Sequence, residues 1–466
     1  MTRFISTTIP YVNGAPHIGH AQEFVLADAL RRYHGDAYFL SGADENSLKN
    51  VLAAQADGME TAAYVTQRSD EFERLTRSLG LELTDFIRTS TDPRHRPVVE
   101  RIWVACERNG DIYRSEYSGL YCVGCEQFYT DAELIDRKCP EHAVAPERVS
   151  ETNYFFRLTR YKERLIELIS KRVINIEPRG KRNEVLQYLR DLTNDLSISR
   201  SAERARGWGI PVPGDPTQII YVWIDALANY VSAPGEARWE AFDEITHVVG
   251  KGVLRFHAVY WPAVLLSAGL RLPDNVFVHN YVTVDGRKIG KSLGNVVDPA
   301  EPIRALGLDA FRYYLLRHVG CYKDGDFSWE RYRQVYEHEL ANQLGNLVSR
   351  VAALTGRCGS LPSSTTRLHA ELEQRIAKHL KTFALHRAMD EIWKAVETTN
   401  AYVAAEQPWK TTGDRRAATL ATATDAIRSI ALALAPFLPT TSERILDALR
   451  THARTILFPR EGPSNC

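Results

Sequence analysis

Two histidines near the N-terminus, His17 and His20, are placed where side chains can act on a phosphate. They stand three residues apart at the predicted start of a helix, directly after a break that contains Asn13-Gly14. Helix N-termini attract anions because their first N–H groups have no partner within the helix. Two imidazoles there can donate hydrogen bonds to phosphate oxygens. The histidine pair alone is also compatible with the alternative that two histidines stand near a helix start by chance.

A basic segment past the middle of the chain indicates the same chemistry. Lys288 and Lys291 stand three residues apart in a Gly-rich stretch, and Ser292 follows directly. Two lysines in a mobile loop can close over a triphosphate and neutralise the charge that develops in the transition state. The two segments together predict a nucleotide-dependent reaction.

Three cysteines and one histidine have the spacing of metal ligands. Cys122 and Cys125 are separated by two residues, and Cys139 and His142 follow after a short polar loop. Three thiolates and one imidazole fit a tetrahedral Zn²⁺ site. Because all four positions are filled by the protein, such a site would be structural. The alternative is four unconnected residues in a loop.

These residues need a sheet that gathers loop ends at one edge. The sequence predicts a strand over 4–9, a helix over 21–32 and a second short strand over 37–40. The carboxyl ends of strands in an open parallel sheet form the crevice where ligands bind. We therefore predict an α/β protein with a Rossmann-type parallel-sheet catalytic domain and a zinc-knuckle insertion. Segments 196–200 and 208–213 and a strand over 219–222 are expected to return the chain to that sheet.

Helical periodicity dominates the remainder of the chain. From about residue 331 the apolar spacing is nearly continuous, with breaks at 356–364 and 407–408. This pattern predicts an all-α bundle of several antiparallel helices.

Composition limits the protein class. The 466 residues, 44% hydrophobic and 25% charged, suit a globular protein of two to four domains. Lys+Arg and Asp+Glu both number 58, so contact with nucleic acid would depend on local basic patches. No signal peptide or membrane-length apolar run is visible, and the seven cysteines suit a reducing cytosol. We expect a cytoplasmic protein with no membrane partner.

The segments Pro10-Tyr-Val-Asn-Gly-Ala-Pro-His-Ile-Gly-His20 and Lys288-Ile-Gly-Lys-Ser292 resemble the paired motifs of class I aminoacyl-tRNA synthetases. Within that class the chain is similar to the methionyl-tRNA synthetases over about residues 4–409. The resemblance implies ATP-dependent activation of L-methionine to methionyl-adenylate and its transfer to the 3′ adenosine of tRNA(Met). It implies ATP, Mg²⁺ and a structural Zn²⁺ as cofactors. The catalytic residues it implies are His17, His20, Lys288 and Lys291, and the ATP-binding set is Asn13, Gly14, His17, Gly19, His20, Lys288, Ile289, Lys291 and Ser292.

The resemblance also implies an amino-acid pocket. Its members would be Ile9, Tyr11, Asp44, Trp223, Tyr230, His257 and Trp261. Asp44 would hold the amino group of methionine, and aromatic rings pack well against a polarisable thioether. Apart from the resemblance, Asp44 can be the N-cap of a helix that starts near Ser47, and the aromatic residues can be ordinary core.

A third implied site reads the anticodon. Asn346 and Arg350 share one face of a predicted helix, and Trp409 stands at the predicted start of another helix. In the resembling enzymes the indole stacks on a base while the Asn and Arg side chains read base edges. The alternative is an ordinary set of bundle residues.

The expected domains follow from these motifs. They are a first catalytic half over 1–112, a connective insertion with the zinc knuckle over 113–195, a second catalytic half over 196–305, a junction segment over 306–335 and a helical anticodon-binding domain over 336–466. Many of the resembling enzymes dimerise through an extra C-terminal domain, which we do not find after the bundle, so the resemblance implies a monomer.

The chain departs from the family's usual residues at Asn46, Gly252, Asn280 and Gly290. The first three departures motivate a second hypothesis, a duplicate enzyme or a paralogue that activates a methionine-like amino acid for another acceptor. A third hypothesis is a tRNA-binding module without catalysis.

Overall fold

The computed structural model describes residues 2–122, 127–129, 131–140, 143–290, 294–358, 361–453 and 455–459. The chain divides into two compact units. The first unit comprises Met1–Pro16, Tyr38–Arg77 and Glu82–Phe277, and the second comprises His17–Ala37, Ser78–Leu81 and Val278–Cys466.

The described strands are β1 (Arg3–Thr7), β2 (Ala37–Ala43), β3 (Asp85–Arg88), β4 (Ile112–Cys122), β5 (Gln127–Tyr129), β6 (Glu147–Phe156), β7 (Asn175–Glu177), β8 (Leu196–Ser197), β9 (Ser199–Ser201), β10 (Pro211–Val212), β11 (Asp215–Ile220), β12 (Glu244–Gly250), β13 (Asn275–His279), β14 (Val282–Val284), β15 (Arg287–Lys288) and β16 (Gly325–Phe327).

The described α-helices are α1 (Ile18–His34), α2 (Leu48–Ala56), α3 (Thr61–Ser78), α4 (His95–Arg108), α5 (Lys162–Ser170), α6 (Arg179–Asp191), α7 (Val222–Leu227), α8 (Asn229–Ser232), α9 (Glu236–Ala241), α10 (Trp261–Ala268), α11 (Ala300–Leu306), α12 (Leu308–Tyr313), α13 (Trp329–Val335), α14 (Asn346–Thr355), α15 (Leu372–Leu380), α16 (Leu385–Glu406), α17 (Gly413–Leu434) and α18 (Pro439–Thr451).

A six-stranded sheet of order β3-β2-β1-β12-β13-β7 forms the centre of the first unit. The pairs β1–β12, β2–β3 and β13–β7 run parallel. Every residue of β2 is buried, as expected for a strand whose two faces are both covered. The strand order reverses between β1 and β12, which is where open α/β sheets bind their ligands. The predicted Rossmann-type parallel sheet is confirmed.

The chain between β7 and β12 differs from the prediction. Segments 196–200, 208–213 and 219–222 do not join the parallel sheet: β9, β10 and β11 form a small antiparallel sheet, and β8 pairs with β6 in another. The first half of β11 is partly exposed and polar, whereas strands of a parallel sheet are buried on both faces. Conversely, β7 lies within the predicted connective insertion, residues 113–195, yet it forms an edge strand of the parallel sheet.

Helices dominate the second unit, and α14 to α18 form the predicted bundle. Consecutive helices from α15 to α18 pack on one another, and α14 packs on α17 and α18. The two predicted breaks are correct, because α14 ends at Thr355 and α16 ends at Glu406. Helix α17 is long and apolar enough to be considered for a membrane span, but 61% of its apolar window is buried within the protein.

Candidate active site

The start of α1 holds both predicted histidines in a reciprocal cap. His17 is the N-cap residue, and its Nδ1 accepts a hydrogen bond from the Gly19 N–H at 3.1 Å. The His17 N–H in turn donates to His20 Nδ1 at 3.1 Å. The two rings stack with their centroids 3.9 Å apart. The result is a capping box in which imidazoles take the places usually filled by hydroxyl and carboxyl groups.

Partial burial keeps this pair of imidazoles neutral. It lowers the pKa of His17 to about 4 and the pKa of His20 well below the ordinary value, and the neighbouring His17 lowers the latter further. Because Nδ1 is the acceptor in both rings, a neutral ring carries its proton on Nε2. Each ring can therefore donate one hydrogen bond to a phosphate oxygen without bringing two positive charges together.

Gly19 is required by the position of the His17 ring. A Cβ added at Gly19 would lie 3.0 Å from His17 Cε1, which is tighter than ordinary van der Waals contact. The same Cβ would lie 3.8 Å from Ile289 Cδ1. Glycine thus leaves room for the ring, and the start of α1 lies close to the residue that follows Lys288.

Lys288 lies on a short strand and not in a loop as predicted. It pairs with Thr283 across the β14–β15 hairpin. The turn residues Asp285 and Gly286 both have positive φ, at 51° and 72°, and Asp-Gly is a strong signal for this kind of hairpin turn. The Lys288 ammonium lies 5.6 Å from the centroid of the Tyr281 ring. Lys291 and Ser292 lie outside the described residues.

Asn295 fixes the segment that follows Lys288. Its Nδ2 donates to the Lys288 carbonyl at 3.0 Å, and its Oδ1 accepts from the Gly290 N–H at 3.0 Å. Two residues further on, the Val297 carbonyl accepts from the Ile18 N–H at 3.2 Å. The second unit therefore brings the segment that carries Lys288 to the start of α1. The sequence alone does not indicate this role of Asn295, because its partners are backbone groups that no motif specifies.

Asn13 and Gly14 belong to the first unit. They lie in the bend between β1 and α1, where Asn13 is exposed and Gly14 is buried. Both remain predicted ATP-binding residues.

The predicted methionine-binding aromatic residues form one continuous cluster in the first unit. The ring centroids are 5.8 Å apart for Tyr11–Trp223, 6.3 Å for Trp223–His257, 5.7 Å for Tyr230–His257 and 6.3 Å for Tyr230–Trp261. All except Tyr11 are buried. A wall of this kind suits a polarisable thioether side chain.

His257 is a neutral member of this cluster. Burial lowers its pKa to about 4. Its Nδ1 lies 2.9 Å from the Val253 carbonyl, so that nitrogen carries the proton and Nε2 is left as an acceptor. Nε2 lies 2.8 Å from the Tyr230 hydroxyl, which donates to it. The hydrogen bond fixes the orientation of both rings without placing a charge in the cluster.

Asp44 provides a carboxylate beside the aromatic cluster. Its N–H donates to the Pro10 carbonyl at 2.9 Å, and it forms a parallel bridge with Tyr11. Ile9 lies close by, since its Cγ2 would be 3.0 Å from a Cβ added at Gly42. The reading of Asp44 as a helix cap is wrong, because the Ser47 hydroxyl caps α2 by accepting from the Lys49 N–H at 3.0 Å. A buried carboxylate next to aromatic rings suits the ammonium group of an amino acid.

The structure describes half of the predicted zinc-binding set. Cys122 and Cys139 are both 1% exposed and belong to one buried cluster with Tyr129. Two buried thiols that converge from separate segments fit a shared metal ion. Cys125 and His142 lie outside the described residues.

The predicted anticodon residues meet on the surface of the second unit. The Arg350 guanidinium lies 5.9 Å from the centroid of the Trp409 ring, and Trp409 is 44% exposed. Asn346 is one turn before Arg350 on α14, and both are exposed. An exposed indole beside a guanidinium is a surface on which an unpaired base can stack.

Trp409 does not start a helix, contrary to the prediction. It lies in the turn between α16 and α17, because α17 begins only at Gly413. Helix α16 stops at Gln407, which takes a left-handed conformation with φ 45°. Pro408 follows directly, so the chain makes a turn before the next helix.

The chain is similar to known proteins over nearly its whole length. Residues 3–150 and 132–352 match the family described as tRNA synthetases class I (M), and residues 356–462 match the anticodon-binding domain of methionyl tRNA ligase. The methionine–tRNA ligase of Brucella suis is 37% identical over 477 residues, which cover 97% of this chain and 92% of that protein. The methionine–tRNA ligase of Thermotoga maritima is 38% identical over 475 residues, which cover 96% of this chain and 75% of that protein.

A solved structure is also similar to this chain over nearly its whole length. The methionyl-tRNA synthetase of Mycobacterium tuberculosis in complex with methionyl-adenylate is 34% identical and has a TM-score of 0.90, with 98% of this chain and all of that chain covered. Both halves of the match, catalytic and anticodon-binding, are thus present in one chain. The chain therefore belongs to the methionyl-tRNA synthetases, a family of class I aminoacyl-tRNA synthetases.

Proposed function

We propose that the chain is a methionine–tRNA ligase that activates L-methionine with ATP and transfers it to the 3′ adenosine of tRNA(Met). The main support is the neutral histidine pair at the start of α1, which lies against the segment that carries Lys288. A similar protein, from Mycobacterium tuberculosis, has been solved with methionyl-adenylate. ATP would enter as its Mg²⁺ complex.

The first step is adenylation. The methionine carboxylate attacks the α-phosphorus of ATP in line, a carboxylate–phosphorus bond forms, and pyrophosphate leaves with the electron pair of the broken P–O bond. The protein contributes position and charge stabilisation more than covalent chemistry. The Nε2–H groups of His17 and His20 donate to phosphate oxygens, and Lys288 and Lys291 neutralise the charge that passes to pyrophosphate.

The aromatic pocket of the first unit selects the amino acid. Asp44 receives the ammonium group, and the rings of Trp223, Tyr230, His257 and Trp261 enclose the side chain. One methylene in such a pocket is worth only about 1–3 kcal/mol, so a homocysteine-like competitor is rejected incompletely by binding alone.

In the second step the adenylate passes its methionyl group to the tRNA. The 3′-terminal adenosine hydroxyl attacks the methionyl carbonyl, and AMP leaves. Asn346, Arg350 and Trp409 would select tRNA(Met) through its anticodon.

We propose that Cys122, Cys125, Cys139 and His142 hold a structural Zn²⁺. Burial of the two described thiols in one cluster fits this ligand set. When bound, the ion would join the two segments that carry its ligands and so contribute to folding. We further propose a cytoplasmic monomer that does not bind membranes.

The test is ATP–pyrophosphate exchange with each amino acid in turn, followed by charging of tRNA(Met). We expect exchange that depends on methionine and a charged tRNA product. Stronger exchange with norvaline or ethionine than with methionine would instead support a duplicate enzyme with another substrate, as the departure at Asn46 suggests. Binding of tRNA without any exchange would identify a non-catalytic module and overturn the proposal.

A further inference from the structure

The four residues that follow β2 are held unusually firmly for a loop. Asp44, Glu45, Asn46 and Ser47 are all buried, with 8% exposure at most. The Asp44 carbonyl accepts from the Asn50 Nδ2 at 2.9 Å, and the Glu45 carbonyl accepts from the indole N–H of Trp208 at 2.8 Å. The Asp44 backbone is thus fixed before any ligand arrives.

Glu45 anchors one side of this loop. Its carboxylate accepts from the hydroxyl groups of Ser69 and Ser90, each at 2.6 Å. Its N–H donates to the Thr89 hydroxyl at 2.9 Å. These contacts attach the loop to α3 and to the residues after β3, neither of which contributes to the aromatic pocket.

Asn46 connects the same loop to a different element, helix α7. Its Nδ2 donates to Asp225 Oδ2 at 2.8 Å and to the Thr89 carbonyl at 3.3 Å. Asp225 lies on α7, two residues after Trp223. The Asn46–Asp225 hydrogen bond therefore connects the loop that presents Asp44 to the helix that presents Trp223.

Asp225 is itself held by a buried chain of polar groups. Its Oδ1 lies 2.6 Å from His95 Nε2, and His95 Nδ1 lies 2.8 Å from the Ser232 hydroxyl. Asp225 is 1% exposed and His95 is fully buried. A carboxylate is tolerated at such a site because each oxygen accepts a hydrogen bond, and loss of one donor leaves a buried oxygen unpaired.

We propose that Asn46 and Asp225 are positioning residues that set the distance between Asp44 and Trp223, and thereby the length of amino acid that the pocket accepts. Asp44 holds the ammonium end of the substrate and Trp223 borders its side chain. A change in their separation therefore alters methionine binding and leaves ATP binding unchanged. This inference rests on the proposed function of the pocket.

The decisive variant is Asn46→Leu, which keeps the size of the side chain and removes its N–H donors. In pyrophosphate exchange we expect the KM for methionine to rise about 10- to 100-fold, the range that a misfit of about one methylene costs in a binding pocket. The KM for ATP stays within about twofold. The ratio of kcat/KM for ethionine to that for methionine rises, because the looser pocket admits the longer side chain.

Two further variants separate positioning from general loosening of the loop. Ser69→Ala removes a hydrogen bond from the same loop, but through Glu45, whose hydrogen bonds to Ser69, Thr89, Ser90 and Trp208 lie outside α7. The KM for methionine should stay at the parent value. Asn46→His keeps a ring N–H donor and should restore the KM to within about threefold of the parent.

An equal rise in the KM for methionine in Ser69→Ala and Asn46→Leu would overturn the inference, as would an equal rise in the KM values for methionine and ATP. If Asn46→Leu does not fold, Asp225→Asn takes its place, with the same ethionine-to-methionine ratio as the readout. A parent protein without methionine-dependent exchange would overturn the proposed function itself. An active parent and an unchanged Asn46→Leu variant would overturn only this inference.

Discussion

Arg312 Nη1 lies 2.7 Å from Asp28 Oδ2, and the two side chains are 1% and 0% exposed. The same guanidinium donates from Nε to the Phe437 carbonyl at 2.8 Å. Asp28 lies on α1, Arg312 on α12, and Phe437 in the turn between α17 and α18. Within the second unit, one buried ion pair therefore joins the helix that begins at His17 to the helical bundle.

Replacing Arg312 with Met should destabilise the protein by about 3–5 kcal/mol, because Asp28 would keep a buried charge without this partner. Urea unfolding monitored by circular dichroism measures the loss. Arg32 provides the control: it also pairs with Asp28, at 2.8 Å, but is 16% exposed, so Arg32→Gln should cost about 1 kcal/mol. Equal losses in the two variants would contradict the special role of Arg312.

Loss of either capping imidazole should slow adenylation. We expect His17→Asn and His20→Gln each to lower the rate of methionine-dependent pyrophosphate exchange about 10²- to 10³-fold, the usual effect of removing one preorganised donor. The KM for methionine should change little, since none of the residues predicted to bind methionine takes part in the histidine cap. His34→Gln, at the opposite end of α1, serves as the control, and its exchange rate should equal that of the parent.

Four histidines whose pKa values are lowered by removal from water should make stability fall on acidification. Burial lowers the pKa of His17 and His257 to about 4, and that of His20 and His247 well below the ordinary value, whereas the unfolded chain ionises near pH 6.5. The unfolded state therefore binds more protons below pH 6.5. Their contribution to stability is complete above pH 6.5 and is lost as the pH falls toward 4.

His257→Gln tests this pH dependence, because glutamine does not titrate. The free energy of unfolding of the variant should fall less than that of the parent between pH 7 and pH 5. Urea unfolding at both pH values gives the two differences. Identical losses in parent and variant would show that His257 does not contribute.

Trp409→Ala should impair charging of tRNA(Met) and spare adenylation. Base–aromatic stacking is worth about 1–3 kcal/mol, so kcat/KM for the tRNA should fall roughly 5- to 150-fold. Pyrophosphate exchange should be unchanged. Leu432, which is 59% exposed on the same bundle, supplies a control: Leu432→Ala should leave both reactions at the parent rate.

The zinc prediction can be checked without an activity assay. Metal analysis of the purified protein should find one Zn²⁺ per chain, and Cys139→Ser should lower that content markedly. Cys106→Ser gives the matched control, since Cys106 is also buried but lies on α4, outside the predicted ligand set. A parent free of zinc, or equal zinc in the two variants, would contradict the ligand assignment.

The sequence predicts those helices and strands whose ends are set by residues close together in the chain. The strand, turn and helix around His17 follow from apolar spacing and chain-breaking residues, as do the two ends of bundle helices at Thr355 and Glu406. The pairing of β9 to β11 did not follow, because strand partners are chosen by contacts distant in sequence.

The same distinction applies to the site. His17, His20 and Lys288 belong to motifs of fixed spacing, so the sequence identifies them directly. The Asn46–Asp225 hydrogen bond joins residues 179 positions apart, and nothing near either residue indicates the other. The Gly-rich composition around Lys288 predicts a loop, whereas Asp285-Gly286 closes a hairpin whose second strand carries Lys288.

In the histidine cap of α1, the side chains that fix the start of the helix are the same ones that we propose for adenylation. The Nδ1 atoms hold the first turn of the helix together, and the Nε2–H groups are the donors that we propose for the phosphate oxygens. Replacing either ring with a more acidic donor would therefore also remove a hydrogen bond from the first turn of α1. At this position, the proposed catalysis and the stability of the helix start therefore depend on the same two side chains.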